Sequence, residues 1–126
     1  TAFQSALRLK PADPDANLGM GNAYYNNAKY PDALPFYQNA AKYEPTWVLA
    51  HVYSGDTLRL LKRNAEAETA YLRAVQLDAK NVDSIYWLGV LYAASSRFAD
   101  ARVQYDRLKP LDTAKAEKLF AFLPKN

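Results

Sequence analysis

The chain has 126 residues, of which 50% are hydrophobic, so it can bury the core of one folded domain. Its 16 Lys and Arg residues oppose 13 Asp and Glu residues, and the formal charge of +3 excludes a strongly polybasic or acidic chain. The absence of cysteine and the single histidine, His51, exclude disulfides, thiolate chemistry and a multi-histidine metal site.

A 34-residue period organises the chain and sets its predicted elements. Within each period, apolar residues at i, i+3, i+4 and i+7 predict two helices separated by a short polar break. Three residue types recur in phase: Gly21, Gly55 and Gly89; Ala33, Ala67 and Ala101; and Tyr37, Tyr71 and Tyr105. The predicted unit is therefore a helical hairpin that repeats along the chain.

The phase divides a single predicted domain, 1–126, into five segments. They are the second helix of an incomplete repeat (1–13), three full repeats (14–47, 48–81 and 82–112), and a capping helix with its tail (113–126). Phe3, Ala6 and Pro11 support the first assignment, because they stand 34 residues before members of the next repeat. Pro110 ends the preceding helix and Asp112 or Thr113 can cap a new one, which favours a C-terminal cap.

Three local features predict details of the packing. A glycine in mid-helix costs about 1 kcal/mol relative to alanine, so Gly21 and its equivalents are expected where two helix backbones approach closely. Tyr37 and its equivalents are expected to fill the space between hairpins, with the hydroxyl at the edge. Pro35 removes an amide that should bond to the carbonyl of Pro31, which predicts a bend or a late helix start.

This repeat resembles the tetratricopeptide repeat, whose pattern is W-x2-L-G-x2-Y, then A-x3-F, then P. In repeat order, the matching residues are Asn17, Met20, Gly21, Tyr24, Ala33, Tyr37 and Pro45; His51, Ser54, Gly55, Leu58, Ala67, Tyr71 and Ala79; and Ile85, Leu88, Gly89, Tyr92, Ala101, Tyr105 and Thr113. The departures from the pattern are Asn17, His51, Ser54, Ala79 and Thr113. The resemblance implies an all-α fold, a right-handed superhelical solenoid of antiparallel helix hairpins with about three and a half repeats and a C-terminal capping helix.

No group of residues predicts catalysis, a cofactor or a metal. Gly19 and Gly21 lie within a predicted helix, so they do not form a nucleotide-binding loop. His51 takes the packing position of Asn17 and Ile85 in the other repeats, which favours a partly buried structural imidazole. Lysines and arginines are scattered along the chain, so no nucleic-acid partner is expected. No apolar run or signal sequence points to a membrane, and a soluble, cytoplasmic chain is favoured although the compartment is not fixed.

The family resemblance implies that the first helices line a concave groove that binds peptides or partner helices. Positions turned about 100° from the packing stripe identify the side chains that would face it. The predicted peptide-binding residues are Leu18, Asn22, Tyr25, Leu49, Val52, Asp56, Arg59, Tyr86 and Val90. The alternative is that the apolar row of Leu18, Val52 and Tyr86 packs inside the superhelix. The sequence thus predicts a protein or peptide partner without identifying it.

Some members of the family clamp the C-terminal carboxylate of a partner with Lys and Asn on successive first helices. Asn22 matches one of those positions. The other positions hold Leu18, Tyr53, Asp83 and Trp87, so this carboxylate clamp is predicted to be absent.

A second hypothesis is that the chain forms a homo-oligomer. The incomplete first repeat would leave Phe3, Ala6 and Leu7 without a covering helix. A second copy of the chain could cover that apolar face by end-to-end pairing or swapping. The sequence leaves this alternative open beside peptide binding.

Overall fold

The computed structural model describes residues 2–9 and 11–125, with only the backbone described at Phe3, Arg8 and Leu9. This described part contains eight α-helices and no strand, which confirms the all-α class. The helices are α1 (Ala2–Leu9), α2 (Pro14–Asn26), α3 (Tyr30–Tyr43), α4 (Val48–Leu60), α5 (Asn64–Leu77), α6 (Val82–Ala94), α7 (Phe98–Leu108) and α8 (Thr113–Phe120). Among these helices, none combines the length and apolar character that crossing a bilayer requires.

Side-chain caps fix the starts of two first helices. The Asp13 carboxylate accepts a hydrogen bond from the Ala16 amide at 3.2 Å, and Asn81 accepts one from the Ser84 amide at 3.0 Å. Asp13 and Asn81 stand two periods apart, and the equivalent position between them is Trp47, whose side chain makes no cap bond. Such a cap contributes about 1 kcal/mol to helix stability. Helices α2 and α6 receive this contribution, and α4 does not.

Each hairpin turn contains one residue with a left-handed backbone. These residues are Ala28, Lys62 and Ser96, with φ of 58°, 64° and 61°, and they stand one 34-residue period apart. In the first turn the Lys29 amide donates to the Tyr24 carbonyl at 2.9 Å, which is the bond of a Schellman motif. The equivalent bonds of the other two turns measure 2.9 and 2.8 Å. The three turns therefore repeat in backbone geometry although none has a glycine at this position.

The chain forms two compact units, residues 1–70 and 71–126, and the boundary falls inside α5. In the first unit α1 packs on α2, α2 on α3, and α3 on α4. Ala33, Ala40 and Ala50 are completely buried there, and such small side chains allow the helices to approach closely. In the second unit α8 packs on both α6 and α7, and Leu119 of α8 is completely buried.

The glycines make room for side chains. A Cβ atom at Gly21 would lie 2.6 Å from Cδ1 and Cε1 of Tyr37. A Cβ atom at Gly89 would overlap the Leu119 side chain and lie 3.2 Å from Cβ of Gln104. At both positions the atoms nearest to the missing Cβ belong to side chains of another helix. The period reveals that space is needed, but it does not reveal which atoms occupy the space.

Pro35 does not delay the start of its helix. Helix α3 begins at Tyr30 and continues through Pro35 to Tyr43, so the prediction of a late start is wrong. Pro31 lies in the first turn, where a missing amide leaves no helical bond unmade. Its carbonyl would have bonded the amide that Pro35 lacks, and since both prolines are exposed, water can bond that carbonyl instead.

The left-handed turns predict opposite effects of glycine at two alanines of α2 and its turn. For Ala28→Gly, relief of about 1–2 kcal/mol of left-handed strain exceeds the unfolded-state entropy cost of about 0.4–1 kcal/mol. We expect a gain in unfolding free energy of about 0.5–1 kcal/mol, measured by urea denaturation. The matched control Ala23→Gly, exposed within α2, should lose about 1 kcal/mol. A loss of stability in both variants would contradict the role of the turn.

Candidate functional site

Tyr37 connects the core of the first unit to a polar surface. Its side chain is 1% exposed and lies against Gly21. Its hydroxyl donates a hydrogen bond of 2.5 Å to Oδ1 of the half-buried Asn22. Asn22 therefore uses its acceptor internally, while the N–H groups of Nδ2 have no partner among the described residues. The bond orients the Asn22 amide through its oxygen and does not use the N–H groups of Nδ2.

Tyrosine rings from three helices form a cluster beside Asn22. The ring centroids of Tyr37 and Tyr53 are 5.4 Å apart, and those of Tyr37 and Tyr25 are 6.2 Å apart. Tyr30 lies edge-on to Tyr25 at 5.2 Å. These separations are typical of favourable aromatic pairs. Tyr25 and Tyr53 remain half-buried, so the cluster presents aromatic surface that a ligand could contact.

Two opposite charges on α4 adjoin the tyrosines. Arg59 Nη2 and Asp56 Oδ1 are 3.7 Å apart, and the two side chains are about one fifth exposed, at 21% and 19%. Burial raises the pKa of Tyr25, the negative charge of Asp56 raises it further, and the positive charge of Arg59 lowers it. Asp56 and Arg59 therefore both act on the tyrosine cluster, and together they add no net charge to it.

Four of the predicted groove residues thus meet on one surface of the first unit. They are Asn22, Tyr25, Asp56 and Arg59, and we call them, together with Tyr53, the α2–α4 site. Asn22 and Tyr25 lie on α2, and Asp56 and Arg59 lie on α4. The surface carries amide donors, a carboxylate, a guanidinium and aromatic edges within one unit.

The remaining predicted residues of this unit differ in exposure. Leu49 is 45% exposed and precedes Asp56 by two helical turns on α4. Leu18 is half-buried, one turn before Asn22. Val52 is only 5% exposed, and its burial favours the alternative that this position serves packing.

In the second unit, Tyr86 is held beneath a lysine of α8. Tyr86 is 9% exposed and lies edge-on to Trp87, with ring centroids 5.0 Å apart. Lys115 Nζ lies 4.9 Å from the centroid of the Tyr86 ring and 3.7 Å from Asp83 Oδ1. These contacts again favour packing at Tyr86, while the predicted groove residue Val90 is half-buried.

Sequence reasoning assigned Tyr37 only to packing and left Tyr53 out of the site. The burial of Tyr37 confirms its packing role, but the same side chain also positions Asn22. Tyr53 stands one period after Gly19 and one before Trp87. The residue at this repeat position differs in each repeat, and such variation indicates a position that packing does not fix. This was the signal in the sequence that could have identified Tyr53.

The single histidine has a structural role. His51 is half-buried, and its Nε2 lies 2.7 Å from the Pro45 carbonyl oxygen, so it links α4 to the segment that precedes it. This contact confirms the partly buried structural imidazole. Within the described residues, no three His, Asp or Glu side chains gather closely enough to hold a metal ion.

Comparisons with known proteins define the family. A family model for the tetratricopeptide repeat matches residues 1–42, 18–83 and 63–116, so the chain belongs to the tetratricopeptide-repeat family. The resemblance identified in the sequence is thereby confirmed. In sequence, protein O-mannosyl-transferase Tmtc3 of Drosophila melanogaster is 33% identical over 75 residues, which are 60% of this chain. The chain spans only 8% of the length of that relative.

Two solved structures show the fold of the family in other proteins. The crystal structure of MamA is 18% identical, with a TM-score of 0.83 over 96% of this chain and 82% of that one. The first TPR of Spaghetti (RPAP3), bound to the HSP90 peptide SRMEEVD, is 21% identical, with a TM-score of 0.79. That match covers 86% of this chain and 89% of the RPAP3 chain. Both matches confirm the tetratricopeptide-repeat fold.

The Tyr37 hydroxyl predicts a pH dependence of stability. Burial raises its pKa well above the ordinary 10.0, and Tyr53 and Tyr25 raise it further. Above about pH 10 the unfolded chain loses this proton while the folded chain keeps it, so unfolding free energy falls as pH rises toward the folded pKa. We expect a shallower fall in Tyr37→Phe than in the wild type, measured by urea denaturation from about pH 9 to 11.5.

The slope with pH is the readout, because Tyr37→Phe also loses a hydrogen bond worth about 1 kcal/mol at every pH. Tyr43→Phe is the matched control for the loss of one tyrosine hydroxyl, since Tyr43 is 41% exposed. Equal slopes in the wild type and in Tyr37→Phe would contradict the assigned pKa shift.

Proposed function

We propose that this chain is a noncatalytic scaffold that binds a polypeptide segment at the α2–α4 site. The observation that carries the proposal is the Asn22 amide, which Tyr37 holds at the surface with its Nδ2 donors unpaired. An unpaired donor in a half-buried position gains more from a ligand carbonyl than an exposed donor does, because water satisfies the exposed one better. The neighbouring aromatic surface supplies apolar contact at low entropic cost.

The chemistry of the site suggests how a segment would bind. Asn22 Nδ2 would donate to a main-chain carbonyl of the segment, in the manner of amides that hold extended peptides. An apolar side chain of the ligand would lie on Leu49, Tyr25 and Tyr53. Asp56 and Arg59 would then select polar groups on either side of that apolar anchor.

The fold supports polypeptide binding, but the residues of the site decide which type of segment would bind. RPAP3, which shares the fold, is bound to the HSP90 peptide SRMEEVD in its structure. In this chain Leu18 stands where a carboxylate clamp has Lys, Tyr53 where it has Asn, and Asp83 where it has a basic residue. We therefore propose an internal segment with an apolar anchor as the ligand, in preference to an acidic C-terminal tail.

Peptide display gives the direct test. We expect a random-peptide library selected on the wild-type chain to yield a shared motif with an apolar anchor. Affinity of the selected peptides should fall about tenfold or more in Leu49→Glu and in Asn22→Ala, because central truncations or charges in an interface cost upwards of 1 kcal/mol. Fluorescence anisotropy with labelled peptides measures the change.

Phe122→Glu is the matched control, since Phe122 is 52% exposed, similar to Leu49, and lies in the other unit. Circular dichroism verifies that every variant stays helical. A selected motif whose affinity is equal in the wild type, Leu49→Glu and Asn22→Ala would contradict the α2–α4 site as the place of binding.

A second candidate function is self-association through the N-terminal face. A cavity of about 520 Å³ in the first unit is lined by Gln4, Leu7, Met20 and Phe36. Ala6 and Leu7 are half-buried there, and the Phe3 side chain lies outside the described residues. An apolar side chain from a second copy of the chain could fill this cavity, and the cavity therefore favours homo-oligomer formation as the second candidate.

Light scattering over a concentration series tests this second candidate. Self-association predicts a mass that rises above the 14.2 kDa of one chain as concentration increases. Leu7→Glu should return the mass to that of a monomer, because a carboxylate would be placed in the apolar cavity. A wild-type chain that stays at 14.2 kDa at millimolar concentration would eliminate self-association.

A further inference from the structure

A groove in the second unit runs between α5 and α7. It has a volume of about 530 Å³ and is lined by Leu72, Val75, Gln76, Ala79, Arg107, Pro110 and Leu111. We call it the α5–α7 groove. It lies on second helices of the repeats, whereas the α2–α4 site lies on first helices, so the inference drawn from it is independent of the proposed function.

Large apolar side chains are exposed along this groove. Leu72 is 37% exposed and Leu111 is 38% exposed, and both line the groove together with the buried Val75. Val103, one helical turn before Arg107 on α7, is 47% exposed. An exposed apolar cluster of this kind, rimmed by polar residues, is typical of a surface that contacts another protein.

Formal charge distinguishes the second unit from the first. The formal charge of +3 arises entirely in residues 71–126, which hold nine Lys and Arg against six Asp and Glu, while residues 1–70 hold seven of each. Arg107 lines the groove, and within the described residues it forms no ion pair. Gln76, on the opposite wall, accepts a hydrogen bond of 3.4 Å from Arg73.

We propose that the α5–α7 groove binds an acidic amphipathic helix of a partner protein. Two or three large apolar side chains at i, i+3 or i+4 and i+7 would fill the groove against Leu72 and Leu111. A carboxylate flanking those side chains would pair with Arg107, whose guanidinium suits bidentate contact. The positive charge of this unit favours an acidic partner over a second copy of the unit, which carries the same charge.

A helix-biased display library tests the proposal. The library holds peptides of roughly 16 residues, about four helical turns, with randomised apolar and charged positions. We expect enriched peptides to combine apolar residues at helical spacing with flanking Glu or Asp. Their affinity should fall about tenfold or more in Leu72→Glu and in Arg107→Glu, and remain unchanged in Phe122→Glu, whose position is exposed and does not line the groove. Val103→Glu, at a 47% exposed position one helical turn before Arg107, should lower the affinity as well.

Charge exchange makes the test specific to Arg107. Peptides in which the flanking Glu is replaced by Lys should bind Arg107→Glu better than they bind the wild type. Failure of this exchange, enrichment of basic peptides, or enrichment of no peptide sensitive to Leu72→Glu would overturn the proposal. A concentration-dependent dimer that Leu72→Glu dissociates would overturn it as well, because the occupant would then be a second copy. Since Leu49→Glu reports on the α2–α4 site, failure at either site is recognised separately.

Discussion

The contact of the Tyr37 ring with Gly21 is the constraint on which the first unit depends. The ring occupies the space that a Cβ atom at Gly21 would take, so the glycine and the tyrosine are each needed for the other. This packing brings the Tyr37 hydroxyl to Asn22 and the ring edge to Tyr25 and Tyr53. One buried side chain thereby joins the core to the polar surface.

The helices and their order could be predicted because the 34-residue period repeats apolar spacing and turn positions together. What the period could not supply was the identity of the atoms in each contact. The missing side chain of Gly21 makes room for the Tyr37 ring, and that of Gly89 makes room for Leu119. Yet the sequence shows the same residue type at the same repeat position in both cases. The left-handed turn at Ala28 was equally hidden, because no glycine marks it and the strain is sustained by hydrogen bonds of the surrounding turn.

The sequence predicts the side of the helix on which each residue of the candidate site lies, but it does not predict how deeply that residue is buried. The direction of a side chain around a helix follows from its position in the repeat, which is why Asn22, Tyr25 and Asp56 fall on one surface. Depth depends on neighbouring side chains, and therefore Val52 is 5% exposed where exposure was expected. Tyr53 was missed for the related reason that it belongs to no apolar row and contributes through its contact with Tyr37.

A crystal structure of the chain with its tightest display-selected peptide tests most directly whether the oriented Asn22 amide and the tyrosines around it receive a polypeptide segment. We expect a peptide carbonyl within hydrogen-bond distance of Asn22 Nδ2, with an apolar side chain on Tyr25 or Tyr53 and the Tyr37 to Asn22 bond retained. A peptide seated elsewhere, with the Asn22 amide left without a ligand contact, would contradict it.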